Sequence, residues 1–307
     1  MSVEPEVLAV DIGGSKLMLG CVDAAGHVLE KRIVPLEGAV TPRDVTEAAA
    51  QGAKELDLSG VCAVGLNVPG LADTEKGLWV HAPFSGISDF PIADVFSALF
   101  SLPAAVENDV NACALAEKRF GLCKHIDHFL WITISNGIGG SLFLNGRLYS
   151  GSAGNAGEIG HFIVEETNGF PCGCGKRGCL EAQAAGPAIA RLYGLLSGKP
   201  IPPGMRSREV GELAAAGDRA ALAAFEKAGY YIGKALAYAA NFVNPKIVVL
   251  GGGVMLNKEL LMPSVERHFQ AFLFERANKD IKIVQTALGY DAALLGAASV
   301  ALASQRI

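Results

Sequence analysis

Hydrophobic and polar positions alternate in the same order in two stretches of the chain. In the first, the apolar runs Val7–Val10 and Leu17–Val22 flank the glycine-containing segment Asp11–Lys16. The second stretch repeats this order with His128–Ile134, Ser135–Gly140 and Ser141–Leu144. Short apolar runs bounded by turn residues predict β-strands. Two halves that each open with strand, glycine turn and strand indicate a duplicated α/β unit.

The remaining periodic segments predict further strands and helices in alternation. Strands are predicted at His27–Val34, Val61–Leu66, Ala104–Glu107, Lys246–Leu250 and Ile281–Gln285. Helices are predicted at Pro42–Leu56 (with Thr41 as a cap), Val110–Phe120, Leu180–Leu196, Ser207–Lys227, Tyr230–Val243, Asn257–Phe274 and Ala292–Ala303. The fold class that follows is α/β.

Composition and charge narrow the possible environments and partners. The 307 residues are 50% hydrophobic and carry a net charge of −5 without a long basic run, which argues against nucleic acid as a partner. The longest apolar stretch, near Ile247–Leu256, is too short to span a bilayer. Met1–Glu6 contains two glutamates and does not resemble a signal peptide. We therefore expect a cytoplasmic protein without membrane contact.

Three glycine-rich segments follow predicted strands, and each is a candidate for binding nucleotide phosphates. Paired glycines let backbone N–H groups approach an anion closely, and neighbouring side chains add donors. An acid at a strand end, such as Asp11, can hold Mg²⁺ or its water shell. Each segment alone is equally well explained as a tight turn, but three in this order favour ATP binding. The candidates are Asp11, Gly13, Gly14, Ser15 and Lys16, then Asn136, Gly137 and Gly139, then Gly251, Gly252 and Gly253.

Asp109 lies in Glu107–Ala112, where a predicted strand ends and a predicted helix begins. Two interpretations remain open from the residues alone. The carboxylate caps the helix, or it is a general base that accepts a proton from a substrate hydroxyl. In the second interpretation Asn108 donates a hydrogen bond to the substrate.

Three of the seven cysteines form a cluster with a histidine, in the spacing H-x10-C-x-C-x4-C. The residues are His161, Cys172, Cys174 and Cys179. Three thiolates and one imidazole complete a tetrahedral set, which predicts a structural Zn²⁺. The other four cysteines lie singly among apolar residues and are interpreted as buried thiols without a role.

Together these segments resemble the ROK family of repressors and sugar kinases, over about residues 7–300. The matching motifs are Asp11–Lys16, Gly65–Gly70, Glu107–Ala112, Ala156–His161 with Cys172–Glu181, and Gly251–Val254. Two positions depart from the family pattern, since Ser15 and Asn136 stand where threonine is usual.

The resemblance implies a two-lobed actin-like ATPase (ribonuclease H-like) fold with sugar and ATP in the cleft. One lobe would comprise residues 1–120 with the C-terminal helix 291–307, and the other residues 121–290 with a zinc loop at 161–181. Asp109 would be the base, and the sugar would contact Gly70, Asn108, Asp109, Glu158, His161 and Glu181. A homo-oligomer, dimer or tetramer, is implied by the family alone.

The implied reaction is ATP-dependent phosphorylation of a hexose, with glucose favoured over N-acetylmannosamine and N-acetylglucosamine, and fructose less so. A sugar-responsive repressor is the first rival. We expect no helix-turn-helix, because the first predicted strand begins near Val7. A non-catalytic sugar-binding protein is the second rival, and the presence of Asp109 argues against it.

Overall fold

The computed structural model describes residues 5–36, 40–82 and 85–305. Contacts divide these residues into two compact units. The first contains the described residues up to Ile126, Ser150–Asn155 and the chain from Ala287 onwards. The second contains Asp127–Tyr149 and Ala156–Thr286. The lobe boundaries taken from the sequence stay a prediction.

The first unit is built on a five-stranded sheet with the order β3-β2-β1-β4-β8. Its strands are β1 (Glu6–Ile12), β2 (Lys16–Asp23), β3 (Val28–Pro35), β4 (Val61–Val68), β5 (Leu71–Asp73), β6 (Leu78–His81), β7 (Ser88–Phe90) and β8 (Ala104–Asn108). The helices are α1 (Pro42–Ala53), α2 (Ile92–Phe100), α3 (Asp109–Arg119) and, from the C-terminal segment, α10 (Ala292–Ser304). The sequence did not predict α2 or the small sheet β5-β6-β7. Thr41 caps α1, as predicted, and forms a capping box with Asp44.

The second unit repeats the sheet of the first, with the order β11-β10-β9-β12-β13. Its strands are β9 (Phe129–Ile134), β10 (Ile138–Leu144), β11 (Arg147–Tyr149), β12 (Ile247–Gly251) and β13 (Lys282–Gln285). The helices are α4 (Leu180–Ala184), α5 (Gly186–Ser197), α6 (Ser207–Ala215), α7 (Arg219–Val243), α8 (Lys258–Phe272) and α9 (Glu275–Asn278). In both sheets the first three strands pair antiparallel and the last two join in parallel. This common order confirms the predicted duplication of an α/β unit.

Two helix boundaries differ from the prediction. The predicted helix Leu180–Leu196 is broken at Ala185, whose extended backbone separates α4 from α5. The predicted break before Tyr230 does not exist, because α7 runs without interruption through it. The chain turns instead at Gly217, with φ +87°, and Asp218 then caps α7 by accepting hydrogen bonds from two backbone N–H groups. A left-handed backbone at that position favours glycine.

A close approach of helix to sheet forms one of the buried clusters of the first unit. Buried alanines of α10 pack against Val7, Ala9 and Ala63. Gly65 in β4 makes this approach possible, because a Cβ there would lie 1.9 Å from the carbonyl oxygen of Ala297. Within the part of the chain that the structure describes, no helix is long and apolar enough to cross a membrane.

Candidate active site

Asp109 is the first residue of α3 and directly follows β8. The side chain of Asn108 caps the helix, since its Oδ1 accepts hydrogen bonds from the N–H groups of Val110 and Asn111 at 2.9 and 3.2 Å. The cap therefore comes from Asn108, although Asp109 Oδ1 also accepts from the N–H of Val110 at 2.9 Å. The structure thus gives Asp109 no necessary part in starting the helix.

Asn108 also connects Asp109 to the loop after β4. Its Nδ2 donates to the carbonyl of Gly70 at 2.7 Å and to Asp109 Oδ1 at 3.1 Å. Gly70 has φ +85°, a conformation that favours glycine. An amide nitrogen carries two N–H donors, so both are engaged here. The predicted sugar contact of Asn108 stays a prediction, and in this structure the side chain orients Asp109.

Glu107, which was not among the predicted site residues, stabilises the position of Asn108 by hydrogen bonds. Its side chain is buried, and Oε1 accepts from the N–H of Asn108 at 2.9 Å and from Asn111 Nδ2 at 3.1 Å. The other oxygen accepts from the hydroxyl of Thr74 at 3.1 Å. The signal available in the sequence was an acid near the end of a short apolar strand. A carboxylate buried there needs hydrogen-bond partners.

Two carboxyl groups of the first unit have a raised pKa. Burial and then the charge of Asp11 raise the pKa of Asp109 to about 7, against hydrogen bonds that favour the carboxylate. Burial raises the pKa of Asp11 to about 6, while Lys16 and Asn67 oppose the rise. Asp109 keeps intermediate exposure, so water also stabilises its carboxylate. A carboxyl group with a pKa near neutrality is suited to accept a proton.

The first glycine turn, Gly13–Ser15, joins β1 to β2. The N–H of Gly13 donates to the carbonyl of Lys16 at 2.9 Å, which closes the hairpin. Gly14 and Ser15 are exposed at its tip. The ammonium of Lys16 donates to the hydroxyl of Tyr290 and lies 4.9 Å from the centre of that ring.

The second glycine turn is shorter than predicted. Only Ser135–Gly137 lie between β9 and β10, whereas Gly139 and Gly140 are inside β10 and pair with β9. Gly140 has a packing reason, because a Cβ there would lie 2.7 Å from the carbonyl of Gly157. A role of Gly139 in nucleotide binding stays a prediction, and it would act from a strand rather than from a turn.

The carboxylate of Glu181 lies against the second turn. Its Oε2 accepts from the N–H of Ile138 at 3.1 Å, and a Cβ on Gly137 would lie 2.5 Å from the same oxygen. The other oxygen is 4.0 Å from Cys172 Sγ. Glu181 therefore lies next to both the glycine turn and the cysteine cluster, and a Cβ at position 137 would displace its carboxylate.

Close packing requires glycine at two positions of the third glycine segment. Gly251 ends β12, and a Cβ there would lie 2.4 Å from the ring of Trp131. Gly252 has φ +90°, and a Cβ there would lie 2.4 Å from the carbonyl of Ile134. Gly253 begins a short 3₁₀ helix. These glycines bring the third segment against the end of β9, directly before the second turn.

The predicted zinc ligands converge in the second unit. One ligand atom each from His161, Cys172, Cys174 and Cys179 lies within 4.8 Å of all the others. Cys174 Sγ is 3.6 Å from Cys179 Sγ, and Cys172 Sγ is 3.8 Å from His161 Nδ1. Zn–S bonds of about 2.3 Å in a tetrahedral site place neighbouring sulfurs about 3.8 Å apart. The donor set and its spacing therefore fit Zn²⁺.

His161 presents its two ring nitrogens to different neighbours. Nδ1 faces the cysteines, and Nε2 is 3.7 Å from Glu158 Oε2. Both side chains are exposed to solvent. The second unit thus brings together Glu158, His161 and Glu181, three of the predicted sugar contacts, around one cluster of ligands.

Comparison with known proteins places these motifs in one family. The family model described as the ROK family matches residues 7–304. A glucokinase from Halalkalibacterium halodurans is 32% identical over 314 residues, covering 94% of this chain and 92% of the relative. An N-acetylmannosamine kinase from Citrobacter koseri is 33% identical over 297 residues, covering 96% and 98%.

A solved structure extends this likeness to the fold. The ROK family glucokinase from Streptomyces griseus, in complex with glucose and AMPPNP, is 30% identical and has a TM-score of 0.82. The match covers 96% of this chain and 99% of that one. The repeated sheet order and this likeness confirm the predicted actin-like ATPase fold.

Proposed function

Because this chain belongs to the ROK family, we propose that it is an ATP-dependent hexose kinase. The observation that carries the proposal is the setting of Asp109, a carboxyl group with a pKa near 7 that Asn108 orients. Relatives named glucokinase, and one solved with glucose and AMPPNP, favour glucose as the acceptor. N-acetylmannosamine is the alternative acceptor, favoured by the Citrobacter koseri relative.

In the proposed reaction a sugar hydroxyl attacks the γ-phosphorus of ATP. A bond forms between the hydroxyl oxygen and the γ-phosphorus, the bond from that phosphorus to the β,γ-bridging oxygen breaks, and ADP leaves. Asp109 accepts the hydroxyl proton as attack proceeds. Phosphoryl transfer depends mainly on positioning and on stabilising charge. Asn108 and Glu107 contribute by holding Asp109 in one orientation.

ATP would be bound by the glycine turns that the sequence singled out. Backbone N–H groups of Gly13–Ser15 and of Ser135–Gly137 are the proposed phosphate donors. Asp11 is the residue that would hold Mg²⁺ or its water shell, and the metal would neutralise phosphate charge. The roles of Lys16, Gly139 and Gly251–Gly253 in this site remain predictions from the family motif.

A structural Zn²⁺ would be held by the His161 and cysteine cluster. When bound it supplies folding energy to the loop, since ligands that converge on a metal lose their freedom. Glu158, His161 and Glu181 are proposed as sugar contacts on that ordered segment, and the sugar contact of Gly70 stays a prediction. A cytoplasmic location and a homo-oligomeric state stay predictions.

A panel of hexoses tests the proposal with an assay that couples ADP release to NADH oxidation. Glucose, N-acetylmannosamine, N-acetylglucosamine and fructose are offered at equal concentration with MgATP. The expected result is turnover with glucose, and preference for N-acetylmannosamine would support the alternative. Tight hexose binding without turnover would indicate the sugar-binding rival. Salt-sensitive, sequence-specific DNA binding in a gel shift would indicate the repressor rival.

A further inference from the structure

The side chain of Asn136, in the second glycine turn, is hydrogen-bonded to an arginine that is distant in the sequence. Its Oδ1 accepts a hydrogen bond from Arg206 Nη1 at 2.8 Å. Both residues are exposed. Asn136 is one of the two positions where the chain departs from the family motif, and Arg206 lies 70 residues away in the sequence. A guanidinium therefore lies at a turn that is proposed to bind phosphate.

The backbone of Arg206 is fixed by the start of α6. Arg206 precedes that helix with an extended backbone, and its N–H donates to Glu209 Oε2 at 2.9 Å. The helix packs closely against the 3₁₀ helix Gly253–Asn257, because a Cβ on Gly211 would lie 2.0 Å from Asn257 Oδ1. Arg206 thus projects from a short helix that packs beside the residues following Gly251–Gly253.

The pair formed by Arg206 and Asn136 is chemically suited to bind an anion. A guanidinium has five N–H donors in a planar fork and recognises phosphate oxygens well. The neutral amide of Asn136 engages Nη1 and leaves the positive charge intact. Glu209, whose carboxylate binds the Arg206 N–H, offsets part of that charge. The carboxylate of Glu181 at the same turn repels phosphate, so an added cation has an electrostatic role there.

We propose that Arg206, held by Asn136, binds phosphate oxygens of the phosphoryl donor at the second glycine turn. This inference rests on the proposed kinase function and adds a residue outside the family motifs to its nucleotide site. The occupant is the polyphosphate part of ATP, and neither the adenosine nor the sugar is recognised by this pair.

Equilibrium binding measured by calorimetry without sugar tests the assignment. Arg206→Ala should weaken ATP binding about tenfold, the size of one hydrogen bond to a charged group at an exposed site. Adenosine binding and the KM for hexose should not change, and Arg206→Lys should be intermediate. The matched control is Arg208→Ala on the same helix, whose side chain is 83% exposed and pairs with Glu212 at 3.4 Å. The control should bind ATP like wild type.

Equal ATP affinity in wild type and Arg206→Ala would overturn the proposal. So would an equal loss of ATP and adenosine binding, which would mark a structural effect. Adding Asn136→Ala to Arg206→Ala should cost nothing further if Asn136 acts by holding the guanidinium, and additive losses would refute the pair as a unit. If wild type binds ATP but phosphorylates no hexose, the proposed function fails, while the calorimetry still decides the role of Arg206.

Discussion

Replacing Asp109 by asparagine separates its chemical role from its structural one. The change keeps the size of the side chain and removes its capacity to accept a proton. A general base contributes about 10²–10⁴ in rate, so kcat should fall by that factor while hexose binding is largely retained. Asp73→Asn is the control, because Asp73 is a surface acid of the same unit and pairs with Lys76 at 2.8 Å.

The same substitution, which lowers kcat, should raise the stability of the folded protein. Folding raises the pKa of Asp109 from 3.8 to about 7, so the folded protein binds this proton more tightly than the unfolded chain does. Stability is therefore lost as pH rises through this interval. The full cost above pH 7 has an upper limit of about 4 kcal/mol, which solvent contact of the partly exposed carboxylate reduces. Asp109→Asn removes this cost.

Thermal unfolding and pH–rate profiles measure both consequences. The Tm of Asp109→Asn should exceed that of wild type at pH 8, and the difference should vanish below about pH 4. Wild-type kcat/KM at pH 6 should be roughly a tenth of its plateau, because a base with a pKa near 7 is then about one-tenth ionised. Asp11→Asn should move this acid limb to lower pH by removing a like charge. Near wild-type kcat in Asp109→Asn, or a lower Tm together with lost activity, would refute the reasoning.

Three further predictions concern the metal and two glycines. We expect about one zinc per chain in wild type and none in Cys174→Ala. The KM of this variant for hexose should rise on the order of 10²-fold, because small displacements of the groups that contact the sugar are costly. Cys62→Ala should change neither quantity, and an unchanged KM in metal-free protein would contradict the prediction. Gly137→Ala should raise the KM for hexose, because the new Cβ would lie 2.5 Å from a carboxylate oxygen of Glu181 and would displace it. Gly173→Ala is the control and should behave like wild type in the same assay, because no atom lies within 4 Å of its new Cβ. Gly65→Ala should destabilise the fold by about 1–3 kcal/mol or more, because its Cβ meets an α10 carbonyl, and unaltered denaturant unfolding would disprove that packing argument.

The fold was predictable because local signals and tertiary structure agree over most strands. The apolar runs that flank the first two glycine turns form β1, β2, β9 and β10, and these open the two equivalent sheets. The helix boundaries were predicted less accurately. The break at Ala185 is followed directly by Gly186 and Pro187, a pair typical of turns and helix starts, and the prediction of one helix over Leu180–Leu196 did not use this signal.

The candidate site was predictable where one motif carries several side chains at fixed spacing. His161 and the three cysteines lie within 20 residues, so their convergence could be inferred from the ligand types. The partners of Asn108 could not, because Gly70 lies 38 residues away and meets it only through the pairing of β4 with β8. The contact of Gly251 with the ring of Trp131 could not be inferred either, because the two residues lie on different strands, and the role of Gly251 in nucleotide binding stays a prediction.

Glu181 couples two sites that look independent in the sequence. It follows Cys179 by two residues, and its carboxylate contacts the N–H of Ile138, where the second glycine turn enters β10. Loss of the metal would release Cys179 at the start of α4, and the carboxylate two residues later would hold that turn less firmly. Removing zinc should therefore weaken ATP binding at the second turn as well as sugar binding. The first turn, closed by its own hairpin between Gly13 and Lys16, should keep its geometry.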